Sequence, residues 1–320
     1  MNLDLLLSNL TNPALLFFCL GLFAVRVKSD LRIPENSSKF ISLYLLLAIG
    51  FKGGQELAHS EFTSSIGWII GLAITSALVI PVYSFALLKR KFGNFNAAAI
   101  AAAYGSVSAV TFVTAVSFLE LQNIEFGGHM VAVMALMEAP AIIVGVVLLS
   151  FFQKNESSSF SLKEIISHAL TNGGVFLILG SLLIGYLASA EQAEGIRPFT
   201  TDIFKGFLAV FLLDMGITSG SKLKVFRKLG LAPILYSVIV PLFNGLIMAW
   251  ISGFATSNVG DRLLISVLAA SASYIAVPAA MKMANPKANS GLYLPMALGI
   301  TFPMNITVGL PLYFLIINCI

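Results

Sequence analysis

Two short polar stretches interrupt long apolar segments of this chain, at matching places in its two halves. They are residues 105–112 (GSVSAVTF) and 271–278 (SASYIAVP), and an offset of 165 positions relates their Ser-x-Ser pairs. Hydrocarbon contains no water, so unwound backbone inside a membrane is tolerated only where it is buried in protein or lines a cavity. A polar break repeated in both halves therefore predicts a transport site.

Composition indicates an integral membrane protein. Hydrophobic residues make up 58% of the chain and charged residues 11%, whereas soluble domains are about 25% charged. The net charge is +4, but the basic residues lie mostly in loops, so a nucleic-acid partner is not expected. The first apolar stretch, 5–25, lacks a basic leader and an obvious cleavage site, and we expect it to be a retained span.

Apolar stretches long enough to span a bilayer number ten, since a spanning helix needs about 20 mostly apolar residues. A serine-rich linker, 153–169, separates a first repeat, 1–152, from a second repeat, 170–320. The sequence predicts an all-α membrane protein with these ten spans: 5–25, 38–58, 66–88, 95–118, 129–152, 170–190, 203–220, 230–253, 262–284 and 291–318.

The distribution of Lys and Arg sets the predicted orientation. Loops after the odd-numbered spans, with their flanks, contain 15 of the 19 basic residues. Cytoplasmic loops carry such an excess, so these loops are expected inside the cell and both termini outside. The predicted location is the bacterial inner membrane.

Further matches between the halves indicate duplication. Gly50-x-x-x-Gly54 resembles Gly216-x-x-x-Gly220, and the sequence around Pro81 resembles that around Pro241. Five spans per repeat is an odd number, so the second copy must be inverted. Inverted repeats place the substrate near the bilayer midplane between broken helices.

The two breaks are the candidate anion site. A helix that resumes after a break begins with free N–H groups and a positive dipole end, which favour anions. Serine hydroxyls add donors without charge. Close helix packing is the alternative, because small residues dominate membrane helix interfaces. The residues assigned to substrate are Gly105, Ser106, Val107, Ser108, Ser271, Ala272 and Ser273.

Ionisable residues inside apolar segments are expensive and usually paired or functional. Glu138 lies beside Pro140, which frees a backbone carbonyl, and a carboxylate with carbonyls suits Na⁺. A structural pair between Glu138 and Lys52 is the alternative, and Asp214 is either a third cation ligand or the partner of Lys52. The residues assigned to Na⁺ are Glu138, Thr111, Thr301 and Asn305.

Enzyme chemistry is not expected. The three histidines, His59, His129 and His168, lie at span ends without metal-ligand spacing. The chain has no glycine-rich phosphate loop ending in Lys-Ser/Thr, so ATP-driven pumping is not indicated. No cofactor is predicted, and Na⁺ would act as a coupling ion.

At these motifs the chain resembles the sodium-dependent bicarbonate permease family. The resemblance rests on GSVSAVTF, SASYIAVPAA, the FLLDMG run at 211–216 and the MEAPAIIV run at 137–144, and it covers nearly the whole chain. It implies two inverted repeats with crossed helices, a core domain moving against a gate domain, and a homotrimer. It also implies Na⁺/bicarbonate symport and a PII-like regulatory protein on the cytoplasmic face.

Three other functions compete with bicarbonate symport. An organic-anion symporter of the bile-acid-carrier type shares the crossed-helix arrangement, but the low bulk of the Ser-x-Ser motifs and their lack of a cation favour a smaller substrate. A membrane-embedded hydrolase with a Ser nucleophile would need a base, and no His lies deep in a span. A passive channel would not need paired broken helices in an inverted repeat.

Overall fold

The computed structural model describes residues 13–59, 63–151, 167, 171, 173–226 and 230–320. Helices make up most of this part of the chain, which contains no β-strand. The predicted linker, 153–169, lies almost wholly outside the described residues.

The first half contains five helices: α1 (Pro13–Arg26), α2 (Glu35–Ala58), α3 (Ser64–Gly105), α4 (Ala109–Leu121) and α5 (His129–Ser150). The long α3 turns sharply at Gly93, whose φ of 73° lies in the left-handed region that favours glycine. Gly93 falls between the predicted third and fourth spans, so the fourth span consists of the end of α3 together with α4.

In the second half α6 (Gly173–Leu187), α7 (Ala190–Arg197), a π-helical turn (Pro198–Asp202), α8 (Phe204–Phe226) and α9 (Leu231–Ile251) come first. After a short 3₁₀ turn, α10 (Val259–Ala270) and α11 (Ala276–Ala284) occupy the predicted ninth span. The last span alternates between α and π turns: α12 (Ser290–Pro295), π (Met296–Thr301), α13 (Phe302–Met304), π (Asn305–Gly309) and α14 (Leu310–Cys319).

The all-α membrane class agrees with this architecture. Five helical stretches of the described chain are long and apolar enough to cross a bilayer: Ser64–Leu121, His129–Ser150, Ala190–Ser221, Leu231–Phe254 and Ser290–Cys319. The first of them contains two predicted spans. The remaining predicted spans are broken, shorter or rich in charged residues in this structure. The layout of ten spans stays a prediction.

The helices pack in two groups. In the first group α1 packs along α8, and α2 packs along α6. In the second group α3 packs along α5 and α9 along α10. The π turns of the last span lie against α9 of this group and against α8 of the first group. The alanine-rich stretch 97–103 of α3 is fully buried in the second group.

Two helix crossings in the first group share one geometry. A Cβ on Gly54 would strike the backbone carbonyl of Leu182, which lies three residues before Gly185. Reciprocally, a Cβ on Gly185 would strike the backbone carbonyl of Phe51, which lies three residues before Gly54. Gly216 and Gly21 face each other in the same way, through the carbonyls of Phe18 and Leu213. The packing equivalent of Gly216 is therefore Gly54, one helical turn away from the match with Gly50 that the sequence suggested.

Candidate functional site

The two sequence motifs are helix breaks that contact each other. Helix α3 ends at Gly105 and α4 begins at Ala109, while α10 ends at Ala270 and α11 begins at Ala276. The backbone N–H of Ser273 donates to the carbonyl of Ala103 (2.8 Å), and the N–H of Ser108 donates to Oγ of Ser271 (2.9 Å). The two interrupted helices are thus joined at their breaks by direct hydrogen bonds.

The second serine of each motif accepts a hydrogen bond from the first turn of the helix that resumes after the break. Oγ of Ser108 accepts from the N–H of Thr111 (3.2 Å), and Oγ of Ser273 accepts from the N–H of Val277 (3.3 Å). Ser108 is the N-cap residue of α4, a position that favours serine because its hydroxyl satisfies one of the free donors of the first turn. Ser273 lies two residues before Ile275, the N-cap residue of α11. Both halves of the chain therefore present at the crossing a helix start whose first turn donates an N–H to a serine hydroxyl.

The carbonyl end of one break is also satisfied by a side chain. Nδ2 of Asn305 donates to the carbonyl of Ala270 (2.7 Å), the last residue of α10, and the Tyr313 hydroxyl donates to Oδ1 of Asn305 (3.2 Å). The Thr301 hydroxyl donates to another carbonyl that lacks a helical partner, that of Ser237 (2.8 Å). Pro241 has no N–H for that carbonyl, which lies four residues before it.

A cavity of about 50 Å³ adjoins the starts of α4 and α11 and lies between the two helix groups. Leu46 of α2 and three residues of α6 close its first side, and the two breaks and α5 close the other. The lining residues are Leu46, Val107, Ser108, Ala109, Met134, Ala135, Glu138, Gly174, Val175, Ile178, Ser273, Tyr274, Ile275 and Ala276.

The residues assigned to substrate from the sequence divide into two sets. Val107, Ser108 and Ser273 line the cavity. Gly105, Ser106, Ser271 and Ala272 are buried beside it and are not part of its lining.

The residues that do not line the cavity lie where the two helix breaks contact each other. Gly105 lies against the ring of Pro81, where a Cβ would collide. The Ser271 hydroxyl donates to the Leu268 carbonyl (2.9 Å) in addition to accepting from Ser108. The Ser106 hydroxyl is buried without a hydrogen-bond partner.

Glu138 is the charged residue of the described cavity lining. Its Oε2 atom is buried and has no hydrogen-bond partner. Lys52 forms its ion pair with Glu120 of α4, and Asp214 accepts a hydrogen bond from Ser38 of α2. The structure therefore pairs Lys52 with neither of the two acids that the sequence offered as its partner.

The remaining residues assigned to Na⁺ do not join Glu138. Thr111 is buried in the first turn of α4, and Thr301 and Asn305 lie on the last span, bonded to backbone carbonyls as described. None of the three belongs to the described lining of the cavity. No cluster of three or more His, Cys, Asp or Glu side chains occurs in the described part of the chain. Their assignment to Na⁺ stays a prediction.

Sequence reasoning missed the apolar side of the cavity. Leu46, Val175 and Ile178 come from the first helix group, and Met134 comes from α5. The Gly-x-x-x-Gly pattern of α2 indicated a close helix neighbour, and α6 is that neighbour. Nothing in the pattern distinguished the residues that line a cavity from those that only fill the interface.

Together, these features describe a helical protein with membrane-spanning character and a small cavity at two helix breaks, between two packed helix groups. A sequence model of the Na⁺-dependent bicarbonate transporter superfamily matches residues 13–318, nearly the whole chain, and the chain belongs to that superfamily. No curated protein matches the chain.

Proposed function

We propose that the chain is a secondary active transporter that couples the entry of Na⁺ to the uptake of bicarbonate by alternating access. The observation that carries the proposal is the cavity at the starts of α4 and α11, lined by Ser108 and Ser273. Each helix start there has a serine hydroxyl bonded to its first turn and a positive dipole end. Membership of a Na⁺-dependent bicarbonate transporter superfamily supports the identity of both ions.

Cavity size favours a small anion over an organic one. A buried water needs on the order of 10–15 Å³ by the same measure, so a cavity of about 50 Å³ holds about three to five water-sized groups. Bicarbonate has four non-hydrogen atoms and fits this space. The alternative substrate, an organic anion of the bile-acid type, is several times larger, and the cavity would have to open widely to admit it.

The hydrolase alternative lacks a serine paired with a base at the site, because Oε2 of Glu138 is buried without a hydrogen-bond partner. The described lining contains two serines but no histidine or lysine that could activate them. Ser108 and Ser273 accept hydrogen bonds from backbone N–H groups at the helix starts, and each serine hydroxyl also has a hydrogen that it can donate to an anion.

Glu138 is the residue we assign to Na⁺ at this cavity. Its Oε2 atom lacks a partner, and an unpaired carboxylate at membrane depth is expensive. Na⁺ beside it would supply the missing countercharge. Thr111, Thr301 and Asn305 lie outside the described lining, so the proposed cation at this cavity rests on Glu138 alone.

The arrangement of the helices in two groups supports the proposal of alternating access. The first group (α1, α2, α6 and α8) would be the gate domain, and the second group, which contains both breaks, would be the core domain. The equivalent crossings at Gly54–Gly185 and Gly216–Gly21 support two inverted repeats of five spans. A homotrimer in the bacterial inner membrane and a PII-like partner are expectations from the family resemblance.

Uptake of labelled bicarbonate into proteoliposomes, with and without an inward Na⁺ gradient, tests the function. We expect accumulation that depends on Na⁺ and disappears when Na⁺ is replaced by K⁺. Equal uptake with both cations would contradict Na⁺ coupling. Absence of any bicarbonate uptake by folded, correctly inserted protein would contradict the proposed substrate.

A further inference from the structure

When its carboxyl group is ionised, Glu138 gives the cavity a negative charge, although the proposed ligand is an anion. Glu138 contributes a carboxylate, and the polar groups of Ser108, Ser273 and Tyr274 are neutral. Lys52, the cation within the predicted second span, is held elsewhere: its Nζ pairs with Glu120 and lies 5.8 Å from the centre of the Phe204 ring. The described lining therefore contains no cation that could neutralise Glu138.

A negative charge in so small a space discriminates among anions by their charge. Like charges in a protein interior repel much more strongly than in water, and the repulsion is proportional to the product of the two charges. Helix starts and hydroxyl groups supply only partial positive charges. They can offset one charge on a ligand far more readily than two.

The geometry points to Glu138 as the residue that determines anion specificity: its carboxylate restricts the site to anions of a single charge and makes their binding depend on a cation beside it. This inference rests on the proposed anion site. With the cavity size, it defines a substrate class of monovalent oxyanions with three or four non-hydrogen atoms. Nitrate and formate belong to this class along with bicarbonate, and sulfite at alkaline pH does not, because it is divalent.

The experiment measures binding of nitrate and of sulfite by calorimetry to purified protein in Na⁺-free buffer at alkaline pH. Both anions have four non-hydrogen atoms, so they differ mainly in charge. In Glu138→Gln, nitrate should bind about tenfold more tightly than in the unaltered protein. The affinity for sulfite should rise about a hundredfold, because the doubled charge of sulfite doubles the repulsion energy that the substitution removes. Added Na⁺ should strengthen nitrate binding to the unaltered protein and have little effect on Glu138→Gln.

Glu125→Gln is the matched control, since it removes the same charge from the loop between α4 and α5, outside the cavity lining. It should leave both anion affinities unchanged. Glu138→Ala provides a second neutral variant, and its affinity for sulfite should likewise rise about ten times more than its affinity for nitrate. Size-exclusion profiles and melting temperatures of all variants establish that each is folded.

Equal increases in affinity for nitrate and sulfite in Glu138→Gln, or no increase for either anion, would overturn the inference. So would sulfite binding to the unaltered protein as tightly as nitrate does. These outcomes are separate from failure of the proposed function, because proteoliposomes that take up no bicarbonate would refute that substrate whatever the nitrate and sulfite affinities show.

Discussion

At the scale of single residues, the four serines of the two breaks have different environments although their sequence contexts are alike. Ser108 and Ser273 line the cavity and accept hydrogen bonds from helix starts, whereas Ser271 lies within the crossing and Ser106 is buried without a partner. The substitution of each serine should therefore have a different effect on transport.

We expect Ser273→Ala to weaken bicarbonate uptake by the equivalent of 1–3 kcal/mol, roughly the worth of a hydrogen bond to a charged group. Ser108→Ala should act similarly, and it should also cost about 1 kcal/mol of stability through loss of the N-cap of α4. Na⁺-driven uptake and thermal unfolding are the measurements. Ser117→Ala is the control, because Ser117 is a buried serine of α4 outside the cavity lining. Equal uptake by Ser273→Ala and the control would contradict a role in anion binding.

Asn305 can be tested for two roles. If its main role is to satisfy the Ala270 carbonyl, Asn305→Ala leaves a buried acceptor unpaired and should cost about 1–3 kcal/mol of stability. Asn305→Asp should be destabilised as well, because it lacks the donating Nδ2 atom. If Asn305 binds Na⁺ through its oxygen, the Asp variant should instead retain or improve Na⁺ affinity. Melting temperature in Na⁺-free buffer and the Na⁺ dependence of uptake separate the roles.

The sequence predicted which residues break the helices, but not the division of labour among them. Small polar residues in an apolar segment are a local signal, and both breaks could be read from it. Whether Ser106 or Ser108 faces a cavity depends on contacts with a segment about 165 positions away. Glu138 was recognisable as a costly carboxylate, yet its position beside the breaks is a tertiary fact.

At the scale of helices, glycine determines how closely the first group can pack. Gly54→Ala should destabilise the protein, because the added Cβ would strike the Leu182 carbonyl of α6, and backbone cannot move aside as a flexible side chain can. Gly71→Ala is the control: nothing lies within 4 Å of a Cβ there, and the better helix propensity of alanine should add up to about 1 kcal/mol. Chemical or thermal unfolding in detergent would measure both. A Gly54→Ala variant as stable as Gly71→Ala would contradict the close crossing.

The Lys52–Glu120 pair joins α2 of the first group to α4 of the second. Lys52 lies six residues beyond Leu46 of the cavity, about 9 Å along the helix, where Gly53 and Gly128 also bring α2 and α5 into backbone contact. The pair therefore helps to close this end of the interface between the groups.

We expect Lys52→Glu to impair transport and stability, since it places two carboxylates together, and the exchange Lys52→Glu with Glu120→Lys to restore most of both. Uptake rate and melting temperature of the single and double variants are the measurements. A double variant no better than the single one would show that the attraction between the two charges is not what matters at this position.

Helix existence was easier to predict than helix continuity. Apolar length identified the spans, and the charged stretch before Gly93 marked the turn inside α3. The alternating π and α turns of the last span depend on Pro295, Pro303 and Pro311 and on packing against α8 and α9. Proline positions are visible in a sequence, but whether the helix kinks, breaks or widens there depends on its neighbours.

At the scale of the whole molecule, the direction of helix packing bears on the number of spans. Gly50 and Gly54 of α2 contact Ser181 and Gly185 of α6 in the same order, so these two helices run parallel. Gly216 and Gly220 of α8 likewise contact α1 at Gly21 and Val25. Parallel helices cross a membrane in the same direction, and the prediction of ten spans makes α2 and α6 the second and sixth, and α1 and α8 the first and seventh. Both pairs then differ by an even number of spans, as parallel packing requires.

The topology itself can be tested by labelling single cysteines from each side of the membrane, after the native Cys19 and Cys319, both exposed, are replaced. Arg90 follows the predicted third span within the basic run 89–91, and Glu194 is exposed on α7. We expect a cysteine at Arg90 to react only from the cytoplasm and one at Glu194 only from outside, because 15 of the 19 basic residues lie in loops or flanks on the side of Arg90. Trp68 and Trp250 are exposed and lie at span ends that the same assignment places outside. A cysteine at exposed Phe254, which lies beside Trp250, should therefore react from the same side as one at Glu194. Reaction of the Arg90 and Glu194 positions from one side would refute the ten-span layout and, with it, the inverted relation of the two repeats.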